Sequence, residues 1–236
     1  MHRLLGLHRD MSDGRHQGRH GRATEGNVVI PPPPHPIETE SFSILASRVD
    51  LSRWPARDRQ IVARMIHATA DESFARSARI GSALVTAGVE ALRRRAPVVC
   101  DTRMVAAGIP LVASVTEVLC YLDRVPSEPA SGTRSAAAIE LAASEHPDGA
   151  IWVIGNAPTA LARLVGLHQA GAVRPAAVIG LPVGYVGAAE AKDELWASGL
   201  REQSVTNRGP RGGSPVAAAA VNALVRLASG PGRSIR

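Results

Sequence analysis

Two polar residues three positions apart, Arg64 and His67, are the first candidates for chemistry in this chain. On a helix such residues are neighbours. At about 100° per residue, Ile61, Val62, Met65, Ile66 and Thr69 share one face, and Gln60, Arg64, His67 and Asp71 share the opposite one. Histidine is the side chain that holds and releases a proton near neutrality. A guanidinium beside it can bind carboxylates in a forked geometry. A solvated helix face has the same pattern, so the pair by itself leaves both readings open.

Further runs set polar or glycine-rich residues at the edges of apolar segments. Gly132-Thr133-Arg134-Ser135 opens an alanine-rich stretch. Free N–H groups at a helix start, together with Arg134, suit an anion; a plain capping motif with a solvated arginine is the alternative. In Gly155-Asn156-Ala157-Pro158-Thr159, Asn156 suits an N-cap and Pro158 a first turn. The same amides could grip a carboxylate or a ring edge. Gly180-Leu181-Pro182-Val183-Gly184-Tyr185-Val186-Gly187 is not a dinucleotide-binding G-x-G-x-x-G, and Pro182 lacks a needed N–H. Close approach to a flat ligand, or tight helix–sheet packing, fits it better. The arginines of Arg208-Gly209-Pro210-Arg211-Gly212-Gly213-Ser214 could bind peripheral carboxylates or lie in a surface loop. No G-x-S-x-G, paired-carboxylate or HExxH signature occurs, so no metal or cofactor is expected.

These residues need elements to position them, and the sequence supplies alternating ones. Helices are predicted over residues 38–48, 55–71, 80–95, 132–146, 157–169, 186–198 and 213–228. Strands are predicted over 97–101, 115–121, 150–154, 176–179 and 203–206. This alternation predicts an α/β fold, a mostly parallel sheet with helices on both faces in a Rossmann-like three-layer arrangement. In such sheets the ligand crevice lies beyond the carboxyl ends of the strands. Asp101, Gly155-Asn156 and Gly180–Gly184 should gather there.

The chain has 236 residues, 45% of them hydrophobic, enough for one domain with a sizeable core. Residues 1–35 read as a disordered Arg/His/Gly-rich tail ending in a tetraproline boundary, 36–229 as the folded domain and 230–236 as a flexible C-terminus. The net charge is +6, carried almost wholly by arginine; Lys192 is the single lysine. Such a surface suits an acidic ligand. Aromatic content of 3% argues against single-stranded nucleic acid, and no recognition helix or zinc-finger spacing is present. No apolar run nears the roughly 18 residues of a membrane span, and residues 1–26 lack a signal-peptide core. A cytoplasmic enzyme is expected. Cys100 and Cys120 form no framework and should be buried, reduced thiols.

Four runs, taken in order, resemble the precorrin-8X methylmutase family of cobalamin (vitamin B12) biosynthesis: Arg64-Met65-Ile66-His67, Gly132 to Ala138, Ile154 to Leu161, and Gly180 to Glu190. The Ser41-Phe42 pair adds a shorter match, where a helix cap or surface serine is the plain alternative. The resemblance implies a methyl shift from ring carbon 11 to ring carbon 12 of precorrin-8X, giving hydrogenobyrinate; anaerobic counterparts convert cobalt-precorrin-8 to cobyrinate. It further implies His67 as catalytic acid, with Ser41, Arg64 and Arg134 on the substrate; Thr133 and Asn156, at the starts of their helices, are expected to bind it too. A homodimer with the acidic tetrapyrrole near the subunit interface is implied, with no membrane or nucleic-acid partner. Protonating a ring atom would redistribute electron density around the conjugated macrocycle, which is the reason such a reaction needs an acid. Many family members continue Ala-Cys-Gly after the histidine; here Ala68-Thr69-Ala70 follows, with Thr69 expected to alter packing on the apolar face. A non-catalytic corrinoid carrier is the reading of another class.

Overall fold

The computed structural model describes residues 35–230. The tail expected over residues 1–34 and the C-terminal residues 231–236 lie outside the described residues. In chain order the elements are α1 (Pro36–Arg48), α2 (Ala56–Thr69), α3 (Phe74–Ser77), β1 (Ala78–Ile80), α4 (Leu84–Arg93), β2 (Val98–Cys100), α5 (Arg103–Ala107), α6 (Pro110–Ala113) and β3 (Val118–Cys120). A 3-10 turn at Leu122–Arg124 leads to α7 (Arg134–Glu145), β4 (Ile151–Ile154), α8 (Pro158–Gln169), β5 (Ala177–Gly180), α9 (Ala188–Ala197), β6 (Ser204–Asn207) and α10 (Ser214–Ala228).

The six strands run in the order β1-β6-β5-β4-β2-β3. All neighbours are parallel except the edge strand β1, which pairs antiparallel with β6, Arg79 opposite Thr206. Strand side chains alternate between faces, and both faces are covered. Val98, Cys100, Ile151, Val153, Ala177, Ile179 and Val205 pack into a core with α2, α4, α5 and α10. Val99, Trp152, Ile154 and Val178 join a second core under α7, α8 and α9. Two-sided burial explains why β2, β4 and β5 read as continuous apolar runs rather than as alternating ones.

The α/β architecture is the one expected, with three local differences. The helix predicted from Ile80 starts at Leu84, and Ile80 itself ends β1. Gly81 makes the break: a Cβ there would lie 2.1 Å from the Arg201 carbonyl oxygen. The strand β1 and the short helices α3, α5 and α6 went unpredicted, because three to five residues are too few to show a period. Cys100 is buried as expected, but Cys120 is only half-buried, because β3 is an edge strand paired with β2 alone. Both thiols are free, and burial raises the pKa of each.

Candidate active site

α2 positions the central pair. Its buried face carries Ile61, Val62, Met65 and Ile66, which pack against α10; His67 stays exposed. Thr69, expected to pack on the apolar face, is half-buried and donates its hydroxyl back to the Met65 carbonyl at 2.8 Å. Ala70 ends the helix with φ +51, in the left-handed region where glycine is favoured.

Two contacts orient the His67 ring. Nδ1 is 2.8 Å from Ser41 Oγ on α1. Phe42 stacks on the imidazole, with centroids 4.8 Å apart and planes 21° from parallel. The Arg64 guanidinium also lies over the Phe42 ring, 5.2 Å from its centroid. The hydroxyl of Ser41 can donate to a neutral Nδ1 or accept from a protonated one. The ring is therefore held in either charge state, with Nε2 left for a ligand.

Arg64 points to α1 as well. One of its terminal nitrogens donates to Glu38 at 2.9 Å, and Arg226 of α10 stands 3.9 Å from the same carboxylate oxygen. Burial, and then the charge of Arg226, pull Arg64 below its usual pKa, while Glu38 opposes them. An arginine remains a cation under such forces. Glu38 and Arg226 were not singled out from the sequence. Nothing in their spacing links them to Arg64, 26 residues from one and at the far end of the chain from the other.

His67 and Arg64 open onto a cleft of about 370 Å3, bounded also by Ala68, Met104, Gly108, Ser214, Pro215, Ala218, Ala219 and Asn222. Its walls are α2, α5 and the first turns of α10. Another groove of about 450 Å3, beside residues 45–52 and Arg59, contains none of the residues singled out above.

The remaining candidates stand elsewhere on the carboxyl edge of the sheet. Thr133 caps α7, accepting from the Ala136 N–H at 3.2 Å, and lies 2.7 Å from the hydroxyl of Thr159. Arg134 donates to the Leu122 carbonyl at 2.6 Å and lies 3.9 Å from Asp123. Neither lines the His67 cleft. Asn156 is exposed and is not the N-cap; Ala157 takes that position, without a side-chain cap bond. The reason is Asp101. Its buried carboxylate accepts the N–H groups of Gly155 at 3.0 Å and of Asn156 and Ala157 at 2.8 Å each. The amides expected to grip a carboxylate or ring edge are already occupied by Asp101. Burial raises the Asp101 pKa, and the three N–H donors oppose it.

The glycine-rich run divides in two: Gly180 is packed under the helices, where a Cβ would stand 2.5 Å from the Leu195 side chain, and Leu181 and Pro182 are buried, while Tyr185 and Val186 are exposed, 99% and 88%. Arg211, by contrast, is engaged: it pairs with Asp71 and donates to Ser73 Oγ at 2.9 Å.

Comparison with known proteins bears on this arrangement directly. The model of the precorrin-8X methylmutase family matches residues 36–227, which contain every candidate residue above. A precorrin-8X methylmutase from Sinorhizobium sp. is 40% identical over 197 residues, covering 80% of this chain and 93% of the relative. A cobalt-precorrin-8 methylmutase from Methanothermobacter thermautotrophicus is 41% identical over 182 residues, covering 75% and 84%. The crystal structure of precorrin-8X methylmutase from Thermus thermophilus superposes with a TM-score of 0.74 at 35% identity, covering 82% of this chain and 95% of that one. The family match spans nearly all of the described fold, with every wall of the cleft inside it, and the chain accordingly belongs to the precorrin-8X methylmutase family, isomerases of cobalamin biosynthesis.

Proposed function

We propose that this chain moves the methyl group from ring carbon 11 to ring carbon 12 of precorrin-8X, giving hydrogenobyrinate, with His67 as the proton donor. The observation that carries the role of His67 is its hydrogen bond to Ser41 at 2.8 Å, beside a cleft. That bond fixes the ring and leaves Nε2 to serve the ligand. Protonation of a macrocycle atom by Nε2–H makes the ring electron-poor; the methyl group migrates; the proton then returns to His67. The step is an isomerisation, and no atom is gained or lost. Arg64 keeps N–H groups beyond the one given to Glu38, and these suit a peripheral carboxylate. Arg134, Thr133 and Asn156 stand at the same sheet edge and would hold further acidic groups of the substrate. The working form would be a cytoplasmic homodimer, without nucleic acid or membrane as partner; among the described residues, no helix is long and apolar enough to cross a membrane.

The test is conversion of precorrin-8X by purified protein in excess of enzyme, followed by visible absorption. Turnover supports the isomerase and removes a pure carrier. Relatives bearing both substrate names match at 40–41% identity, so cobalt-precorrin-8 is run in parallel. His67→Ala should lower kcat at least 100-fold, the range a general acid contributes, while corrinoid binding and the circular dichroism spectrum persist. Turnover of that variant at the wild-type rate would remove His67 as the acid.

A further inference from the structure

Lys192 is the single lysine of the chain, and its side chain on α9 is fully buried. Its ammonium donates to Asn207 Oδ1 at 3.2 Å and to the Arg211 carbonyl. Asn207, also fully buried, donates in turn to the Arg208 and Arg211 carbonyls at 3.0 Å each. These acceptors are neutral dipoles. The charged groups facing Lys192 are Asp193 of its own helix and Arg79 of β1, and those two pair with each other at 2.6 Å.

The segment held this way, residues 208–213, runs from β6 into α10, one wall of the cleft. Its Gly213 N–H donates to the Leu181 carbonyl at 2.8 Å, and its Pro210 carbonyl accepts from Gly184 at 3.1 Å. Gly212 lies so close to the strand-end loop that a Cβ would stand 2.3 Å from the Pro182 oxygen. Directly after it, Ser214 and Pro215 enter the His67 cleft. Arg211 reaches across to Asp71 and Ser73, just beyond the end of α2.

We infer that Lys192 is a positioning residue for the methyl shift, its ammonium gathering Asn207 and the Arg211 carbonyl and thereby fixing the loop that sets the Ser214–Pro215 wall against α2. This rests on the methylmutase reading. A cation is the right group because hydrogen bonds from it to carbonyls are stronger than those from a neutral donor. Burial lowers its pKa to about 8, so the lock holds below that pH and weakens above it.

The experiment compares wild type with Lys192→Met, which keeps the length and removes the charge. Steady-state rates with precorrin-8X are measured from pH 6 to 9.5, beside trypsin digestion at pH 7.5. The variant should raise KM about tenfold with kcat changed less than threefold, and should lack the alkaline fall in kcat/KM that wild type shows near pH 8. Trypsin should cut after Arg208 or Arg211 in the variant and spare both in wild type. Wild-type kinetics, pH profile and digestion pattern in the variant would overturn the inference. If the variant does not fold, Asn207→Asp supplies the decision: a carboxylate beside Lys192 should move the alkaline limb upward by about one pH unit, and an unmoved limb overturns the inference. Absence of turnover in wild type with either substrate counts against the methylmutase reading, while the digestion still decides the loop.

Discussion

His67 illustrates how little of a residue's chemistry lies in its own identity. The ring is useful because Ser41 fixes one nitrogen and Phe42 fixes the plane. Both come from α1, a helix that buries only Phe42 and Leu45. Arg64 is likewise shared between roles, bonded to Glu38 while facing the cleft. Just beyond the pair, Ala70 occupies a left-handed conformation that costs a non-glycine residue about 1 kcal/mol. Ala70→Gly should therefore stabilise the protein by about 0.5–1 kcal/mol, seen as a higher urea midpoint with an unchanged m-value. A lower midpoint would show that the αL strain at Ala70 is offset by other contacts.

At the level of elements, the boundary between β2 and β4, which the chain passes in going from β3 to β4, is the decisive feature. Strand order reverses there: β3 lies on one side of β2, while β4, β5 and β6 follow on the other. Ligands of open α/β sheets enter the crevice at such a switch point. Here Asp101, following β2, bonds the three amides that follow β4 and closes that crevice from within. The open cleft is displaced to the α2, α5 and α10 side. Asp101→Ala should cost about 3 kcal/mol or more, since three N–H groups lose a charged acceptor. Asp101→Asn should rescue little, because its amide nitrogen would face N–H donors. Urea unfolding of both variants checks this; near-wild-type stability of the asparagine variant would mean that the loop holds itself.

The whole molecule puts its candidate groups at the carboxyl edge. His67 and Arg64 stand over one face of the sheet, and Arg134 and Thr133 over the other. No side chain of the second set lines the cleft of the first. An acidic macrocycle held by both would have to span the edge, or the second set would have to serve a second copy of the chain. Exposed apolar residues lie along the same region, Met104 at 70% and Tyr185 at 99%. The proposed homodimer predicts a sedimentation mass twice the 24.7 kDa of the chain, and slower amide exchange across residues 183–187 at higher protein concentration. A concentration-independent mass of one chain would remove the dimer.

The sequence by itself determined the layered α/β architecture, because alternating apolar strands and amphipathic helices admit few other arrangements. It also determined that Arg64 and His67 are neighbours, since that needs only the helical period. The loops after β2, β4 and β5 could be placed at one edge for the same topological reason. What only the tertiary structure decided are the long-range partners: Ser41 on His67, Glu38 and Arg226 at Arg64, Asp101 beneath residues 155–157, Lys192 and Asn207 beneath the 208–213 loop. Each joins residues far apart in the chain or sits between elements too short to show a period. Such pairings follow from how helices and loops stack on the finished sheet, and local spacing carries no record of that.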